Sequence, residues 1–281
     1  MATLDATAKK NEKRTDTIHV LIPDTQAKYG VSTAHLRWIG RYIAEKYVGH
    51  PHLRIIHIGD HWDMPSLSSY DKKGGRLMEG RRYTTDIEYG NKAWDILNAP
   101  IESAKERYSW GPDEDFFMGN HEDRITRAVN QDAQLEGLID LSQLQVNVDG
   151  VWRVHPFLVP KTFDGVTYAH YFTNRMTGKP LSGQSMDARI KTVGHSFTMG
   201  HQQGLWMGRR ESLRGAQVGL VAGSCYLHDE EYLGPQGNGH WRGIVICHDV
   251  RQGDYDPKPV SLRSLCQRYE GKSLGVFLGR H

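Results

Sequence analysis

Two kinds of hydrophobic spacing alternate along the first half of the chain. "IHVLIP" (residues 18–23) is a short apolar run rich in β-branched residues, "LRIIHIGD" (53–60) reads as a second buried strand, and each ends in a polar turn. Such runs read as strands buried on both faces. Between them, "VSTAHLRWIGRYIAEKYVG" places Leu36, Ile39 and Ile43 at helical spacing, with Ser32 or Thr33 as N-cap. A polar insert covers residues 64–86. "IEYGNKAWDILNAPIESAKERY" then carries a helical pattern, "DFFMGN" is a third short strand, and residues 123–145 read as helical.

This strand–helix order predicts βαβ units and a largely parallel sheet. After about residue 150 the texture changes. "GVWRVHPFLV", "GVTYAHYF", "SFTMGH", "AQVGLVAGSCY" and "RGIVICHDV" are short strand-like runs separated by glycine-rich turns. They predict a second, mainly β half whose sheet packs on the first. The expected fold class is α/β, a two-layer β-sandwich flanked by helices. No repeat and no linker divides the chain, so residues 17–281 read as one domain with a C-terminal β-rich extension. Residues 1–16 read as a disordered polar tail.

Composition narrows the possibilities further. The 281 residues are 38% hydrophobic and 24% charged, ordinary for an enzyme-sized globular chain. No apolar run approaches the ~20 residues of a membrane helix, and the first residues lack the apolar segment of a secretory signal. A net charge of +2 implies no bulk attraction to nucleic acid. Local basic clusters, Lys72-Lys73 with Arg76, Arg81 and Arg82, and Arg209-Arg210 with Arg214, read as solvated faces. Cys225, Cys247 and Cys266 match no zinc spacing and read as free thiols of a reducing cytosol. Histidine is the unusual count, at 15.

In open α/β sheets functional groups gather outside the carboxyl ends of the strands. The three first-half strands end there in Asp24, Asp60 and Asn120. Nearby stand Gln26, Asp63 and His121, and the β-rich half adds His170, His201 and Gln203. Carboxylate and amide oxygens with imidazole nitrogens suit Mn²⁺, Fe²⁺, Zn²⁺ or Mg²⁺. Taken singly, each residue has an ordinary explanation: an Asx-turn, a strand-end turn, a packed core histidine.

Taken in order, "DTQ" (24–26), "GDHWD" (59–63), "GNHE" (119–122), "AHYF" around His170 and "GHQQ" (200–203) resemble the calcineurin-like metallophosphoesterase superfamily. Its ordered series is D-x-H, G-D-x-x-D, G-N-H-E/D, a lone His, and G-H-x-H. The match runs from residue 18 to about 224. The resemblance implies two divalent metal ions, manganese foremost, with Mg, Fe or Zn as alternatives. It implies that Asp60 bridges them, that Asn120, His170 and His201 complete one site, and that Asp24, Gln26 and Gln203 surround the other. Metal-bound hydroxide would be the nucleophile. His121, oriented by Asp63, would protonate or stabilise the leaving oxygen. Arg124, just past the motif, is a candidate to reach a phosphate oxygen, against the ordinary reading of an exposed arginine at a helix start.

Two departures fall on one metal. Gln26 and Gln203 stand where the common pattern has His, and an amide oxygen favours harder Mg²⁺ or Mn²⁺. The manganese-dependent ADP-ribose/CDP-alcohol diphosphatases of the superfamily share D-x-Q, so Gln26 is compatible with catalysis. His195 is the fallback for His201, since "VGHSFTMGH" holds two GH pairs. His61, Trp62 and Glu122 read as structural, His61 as a rim residue. "CYLHDEEYLGPQGNGHWRG" (225–243) is either a substrate lid or a polar hairpin.

The expected activity is hydrolysis of a phosphodiester or nucleotide-type phosphoanhydride, DNA or RNA included. The alternatives are a phosphomonoesterase or a non-catalytic scaffold on the same fold. A protein phosphatase is disfavoured, because Met64 stands where those enzymes carry arginine. The texture also resembles small bacteriophage metallophosphoesterases, which would put the chain in a host cytoplasm.

Overall fold

A computed structural model describes residues 2–69, 75, 78–183, 185–213, 215–230 and 233–279. Lys72, Lys73, Arg76 and Arg214 of the basic clusters lie outside the described residues. In chain order the elements are α1 (Ala2–Asn11), β1 (Ile18–Ile22), α2 (Ala34–Tyr47), β2 (Leu53–His57), α3 (Tyr83–Tyr108), β3 (Asp113–Phe117), α4 (Asp123–Gln131), α5 (Gln145–Asp149) and β4 (Arg153–His155). Then follow β5 (Lys161–Phe163), β6 (Val166–Tyr168), α6 (Met186–Val193), β7 (Phe197–Met199), β8 (Leu205–Ser212) and β9 (Gly215–Ala222). The chain closes with α7 (Gly234–Gly237), β10 (Gly243–Arg251), β11 (Asp254–Ser261), α8 (Leu262–Glu270) and α9 (Leu274–Phe277).

Two mixed sheets result, flanked by helices, an arrangement compatible with a two-layer sandwich. The six-stranded sheet has the order β11-β10-β1-β2-β3-β4, and the five-stranded sheet the order β5-β6-β7-β9-β8. β1 to β4 run parallel, as do β6, β7 and β9. Period-two alternation sorts the side chains: Ile18, Val20 and Ile22 join the core under the helices, while Leu21 faces the other sheet. Leu21, Ile56 and Phe117 of the first sheet pack there with Tyr168, Val218 and Leu220 of the second. A third cluster seats Met186 and Ile190 of α6 on Phe197 and Val221.

Three expectations are corrected. Residues 2–11 form a helix rather than a disordered tail: Ala8 is buried, and Asn11 Nδ2 donates to the carbonyls of Lys46 and Val48. That anchoring supplies what the weakly amphipathic sequence does not. The second half is not one separate sheet, because β4, β10 and β11 all join the first, β10 by antiparallel pairing to β1. A strand run signals burial but not which edge it will find. The helical reading of residues 123–145 also shortens, to α4, two short 3-10 turns and the first residue of α5.

Candidate functional site

The parallel strands of both sheets deliver their carboxyl ends to one place. Asp24 follows β1, Asp60 follows β2, Asn120 and His121 follow β3, His170 follows β6, and His201 follows β7. Backbone bonds lock the loops to one another: Gln26 N donates to Asp60 O (2.9 Å), Cys225 N to Asp24 O (2.8 Å), and Gly200 N to His170 O (2.9 Å). The loops approach so closely that a Cβ on Gly119 would overlap Asp60 Oδ1, and one on Gly200 would overlap Asp24 Oδ1. The glycines before Asn120 and His201 are therefore packing requirements. Gln26, Asp60 and His201 all have positive φ, at 41°, 51° and 65°. Such backbone is costly for residues with a Cβ and clusters where geometry serves a site.

Glu122 holds the floor together. Its carboxylate accepts four backbone N–H groups, from Gly119 (2.8 Å), Asp60 (3.0 Å), His61 (2.7 Å) and Trp62 (3.0 Å). His61 is fully buried rather than on a rim, between Thr25 Oγ1 (2.7 Å) and the Gly90 carbonyl (3.1 Å). Trp62 is buried and stacks on Trp94. All three pack into the floor of the site, His61 included, which the sequence reading places on the rim.

One corner of the site is rich in nitrogen. Asp60, His170 and His201 offer ligand atoms within 4.8 Å of one another. His170 Nδ1 lies 2.7 Å from the Ile58 carbonyl, which fixes it as the N–H and turns Nε2 inward. Nε2 then sits 2.9 Å from Asn120 Oδ1 and 3.3 Å from Asp60 Oδ2. Burial opposes charge on His170, but Asp60 outweighs it and raises the imidazole pKa to about 9. Burial would raise the Asp60 carboxyl, yet His121 and His170 hold it well below the usual range. For His201, burial and the charge of His170 push the pKa down to about 4, leaving a neutral ring.

The loops after β1 and β7 carry three further buried oxygens. Asp24 Oδ1 accepts from His201 N at 3.1 Å, whereas Oδ2 is buried without a hydrogen-bond partner among the described residues. Gln26 Oε1 and Gln203 Oε1 are orphaned in the same way. Native interiors rarely leave buried polar atoms unmatched, and an unmade ion contact is one recognised reason. Burial and the nearby Asp60 raise Asp24 to about 7. The donor set fits a hard divalent cation.

At the rim, His121 Nδ1 is 2.8 Å from Asp63 Oδ1. Burial disfavours the imidazolium, but Asp60 and Asp63 overcome that and leave the His121 pKa raised. Arg124 acts against them by donating to His121 Nε2 at 3.0 Å. It is no exposed helix-start arginine: it is 8% exposed, and its Nη1 donates to the carbonyls of Asp63 (2.7 Å) and Met64 (3.1 Å). His195 is exposed, outside this cluster. The structure thus brings Asp24, Gln26, Asp60, Asp63, Asn120, His121, Arg124, His170, His201 and Gln203 to one set of strand ends. Sequence reasoning missed Lys28, whose Nζ lies 3.0 Å from Asp63 Oδ2, because a lone lysine after a turn carries no signal. No protein-family model matches the chain, and no curated protein matches it either.

Proposed function

We propose that this chain is a dinuclear metal-dependent phosphoesterase of the calcineurin-like type, acting on a phosphodiester or nucleotide-type phosphoanhydride. The observation that carries the reading is the Asp60–His170–His201 cluster at the shared strand ends, together with three partnerless buried oxygens, Asp24 Oδ2, Gln26 Oε1 and Gln203 Oε1, on the loops that follow β1 and β7. Asp60, Asn120, His170 and His201 would hold one cation, and Asp24, Gln26, Gln203 and Asp60 the other. Divalent ions in those positions neutralise phosphate oxygens and lower the pKa of water.

The chain's own groups supply the rest. A water-derived oxygen bonds to phosphorus as the bond to the leaving oxygen breaks, and that oxygen needs a proton or a compensating charge. His121 stands beside Asp60 in position to provide either, with its ring held by Asp63. A proton on Nε2 and the Arg124 bond exclude each other, since guanidinium only donates. A phosphate oxygen that accepts from Arg124 frees Nε2 for the leaving group. The amide oxygens of Gln26 and Gln203 tilt the second site toward Mn²⁺ or Mg²⁺.

Turnover of bis-p-nitrophenyl phosphate by metal-stripped protein reloaded with Mn²⁺ tests this reading. We expect turnover that depends on the metal, and on an ester of a more basic leaving group such as phenolate we expect His121→Ala to lower it by about 10²–10⁴-fold. Absence of turnover with every divalent ion would favour a non-catalytic scaffold.

A further inference from the structure

Lys28 stands between two carboxylates. Its Nζ is 3.0 Å from Asp63 Oδ2 and donates to both oxygens of Glu230, at 2.9 and 3.1 Å. The Glu230 side chain is well buried, and its Oε1 also lies 2.6 Å from His228 Nε2. On the far side, Asp63 Oδ1 meets His121 Nδ1. One row therefore runs His121, Asp63, Lys28, Glu230, His228, from the reaction centre into the 225–243 segment.

The described residues of that segment are tied to one another. Asn238 Nδ2 donates to the carbonyls of Glu230 and Gly234, at 2.8 Å each, and Asn238 Oδ1 accepts from Glu230 N at 2.8 Å. Arg242 Nη1 donates to the His228 carbonyl at 2.7 Å. Glu230 is thus presented from a braced frame rather than a loose hairpin. Burial disfavours the Lys28 ammonium, but Asp63 and Glu230 outweigh it and raise its pKa. Without that ammonium, two buried carboxylates lose their shared counter-charge, a costly arrangement.

We propose that Lys28 is a positioning residue for His121. Its ammonium holds Asp63 so that Oδ1 faces the imidazole, and Glu230 anchors the ammonium, which couples the seating of residues 225–230 to proton delivery. The proposal rests on the reading of His121 as the group that serves the leaving oxygen.

The test compares Lys28→Met, Lys28→Arg and Glu230→Gln in Mn²⁺-loaded protein on aryl phosphodiesters with leaving phenols of graded acidity. In Lys28→Met, kcat should fall about 10–100-fold for the poorest leaving group and less than about threefold for p-nitrophenolate. KM and bound manganese should hold, Lys28→Arg should recover most of the loss, and Glu230→Gln should show the same trend more weakly. An equal loss across leaving groups, or loss of manganese, would overturn the proposal and make Lys28 a structural residue. If wild-type protein turns over none of these esters, the phosphoesterase reading fails. The positioning claim is then decided by the His121 ring-nitrogen chemical shifts. They should move in Lys28→Met and Glu230→Gln but stay put in the surface control Lys191→Met. Unmoved shifts would overturn it.

Discussion

The Asn120–His170 corner and the Gln26–Gln203 corner are built alike, from loops at the carboxyl ends of neighbouring strands. They differ in how they treat their own polar atoms. His170 has a carbonyl on one nitrogen and two oxygens on the other, so in the absence of a cation a proton links the corner together. Gln26 Oε1 and Gln203 Oε1, which take up no proton, have no such substitute. Imidazole can swap a proton for a metal, whereas amide oxygens have nothing to swap. On the proposed reading, amide oxygens at Gln26 and Gln203 would leave one corner stable alone and the other dependent on a cation.

The strongest way to break the comparison is to remove the group both corners share. Asp60→Ala should abolish binding of both cations and reduce turnover by at least about 10³-fold, read by elemental analysis beside kinetics. Retention of either ion would mean that Asp60 bridges nothing. Next in size, Gly119→Ala should destabilise the fold by about 2–4 kcal/mol in denaturant titrations, since the new methyl displaces the Asp60 carboxylate. A third test converts one corner into the other: Gln26→His with Gln203→His should shift preference from Mn²⁺ toward Zn²⁺ by about 10-fold in competitive dialysis.

The remaining test is a pH dependence. The folded Asp24 pKa lies near 7, above its ordinary value of 3.8. The metal-free fold therefore binds this proton more tightly than the unfolded chain does. Its contribution is complete below the unfolded pKa and is lost as pH rises through about 7. Metal-free protein should thus lose stability between roughly pH 4 and 7, Asp24→Asn should flatten that slope, and Mn²⁺ should restore the loss by replacing the proton. A wild-type slope identical to that of Asp24→Asn would remove Asp24 from the oxygen corner.

How much was legible in the sequence follows from range. β1 was readable because it is buried throughout, and β2 and β3 through the apolar pairs they carry, Ile55-Ile56 and Phe116-Phe117, although β3 opens on three acidic residues. Their polar ends were readable too, so Asp24, Asp60, Asn120 and His121 could be gathered before any coordinates. The placement of β4 and β10 in the first sheet was not, since pairing partners are set by long-range packing. Arg124 shows the same limit at the level of one side chain. Its burial depends on the carbonyls of Asp63 and Met64, some sixty positions away, as their hydrogen bonds record. Lys28 and Glu230 meet across 202 positions and leave no local trace.

The central claim is that the oxygen corner is a cation site in its own right. Calorimetric titration of metal-stripped protein with Mn²⁺ tests it most directly, with Gln26→Met/Gln203→Met as comparison. Two ions per wild-type chain, one of them lost in the double variant while the His170 corner keeps the other, is the result this account predicts. A single ion in both proteins would contradict it.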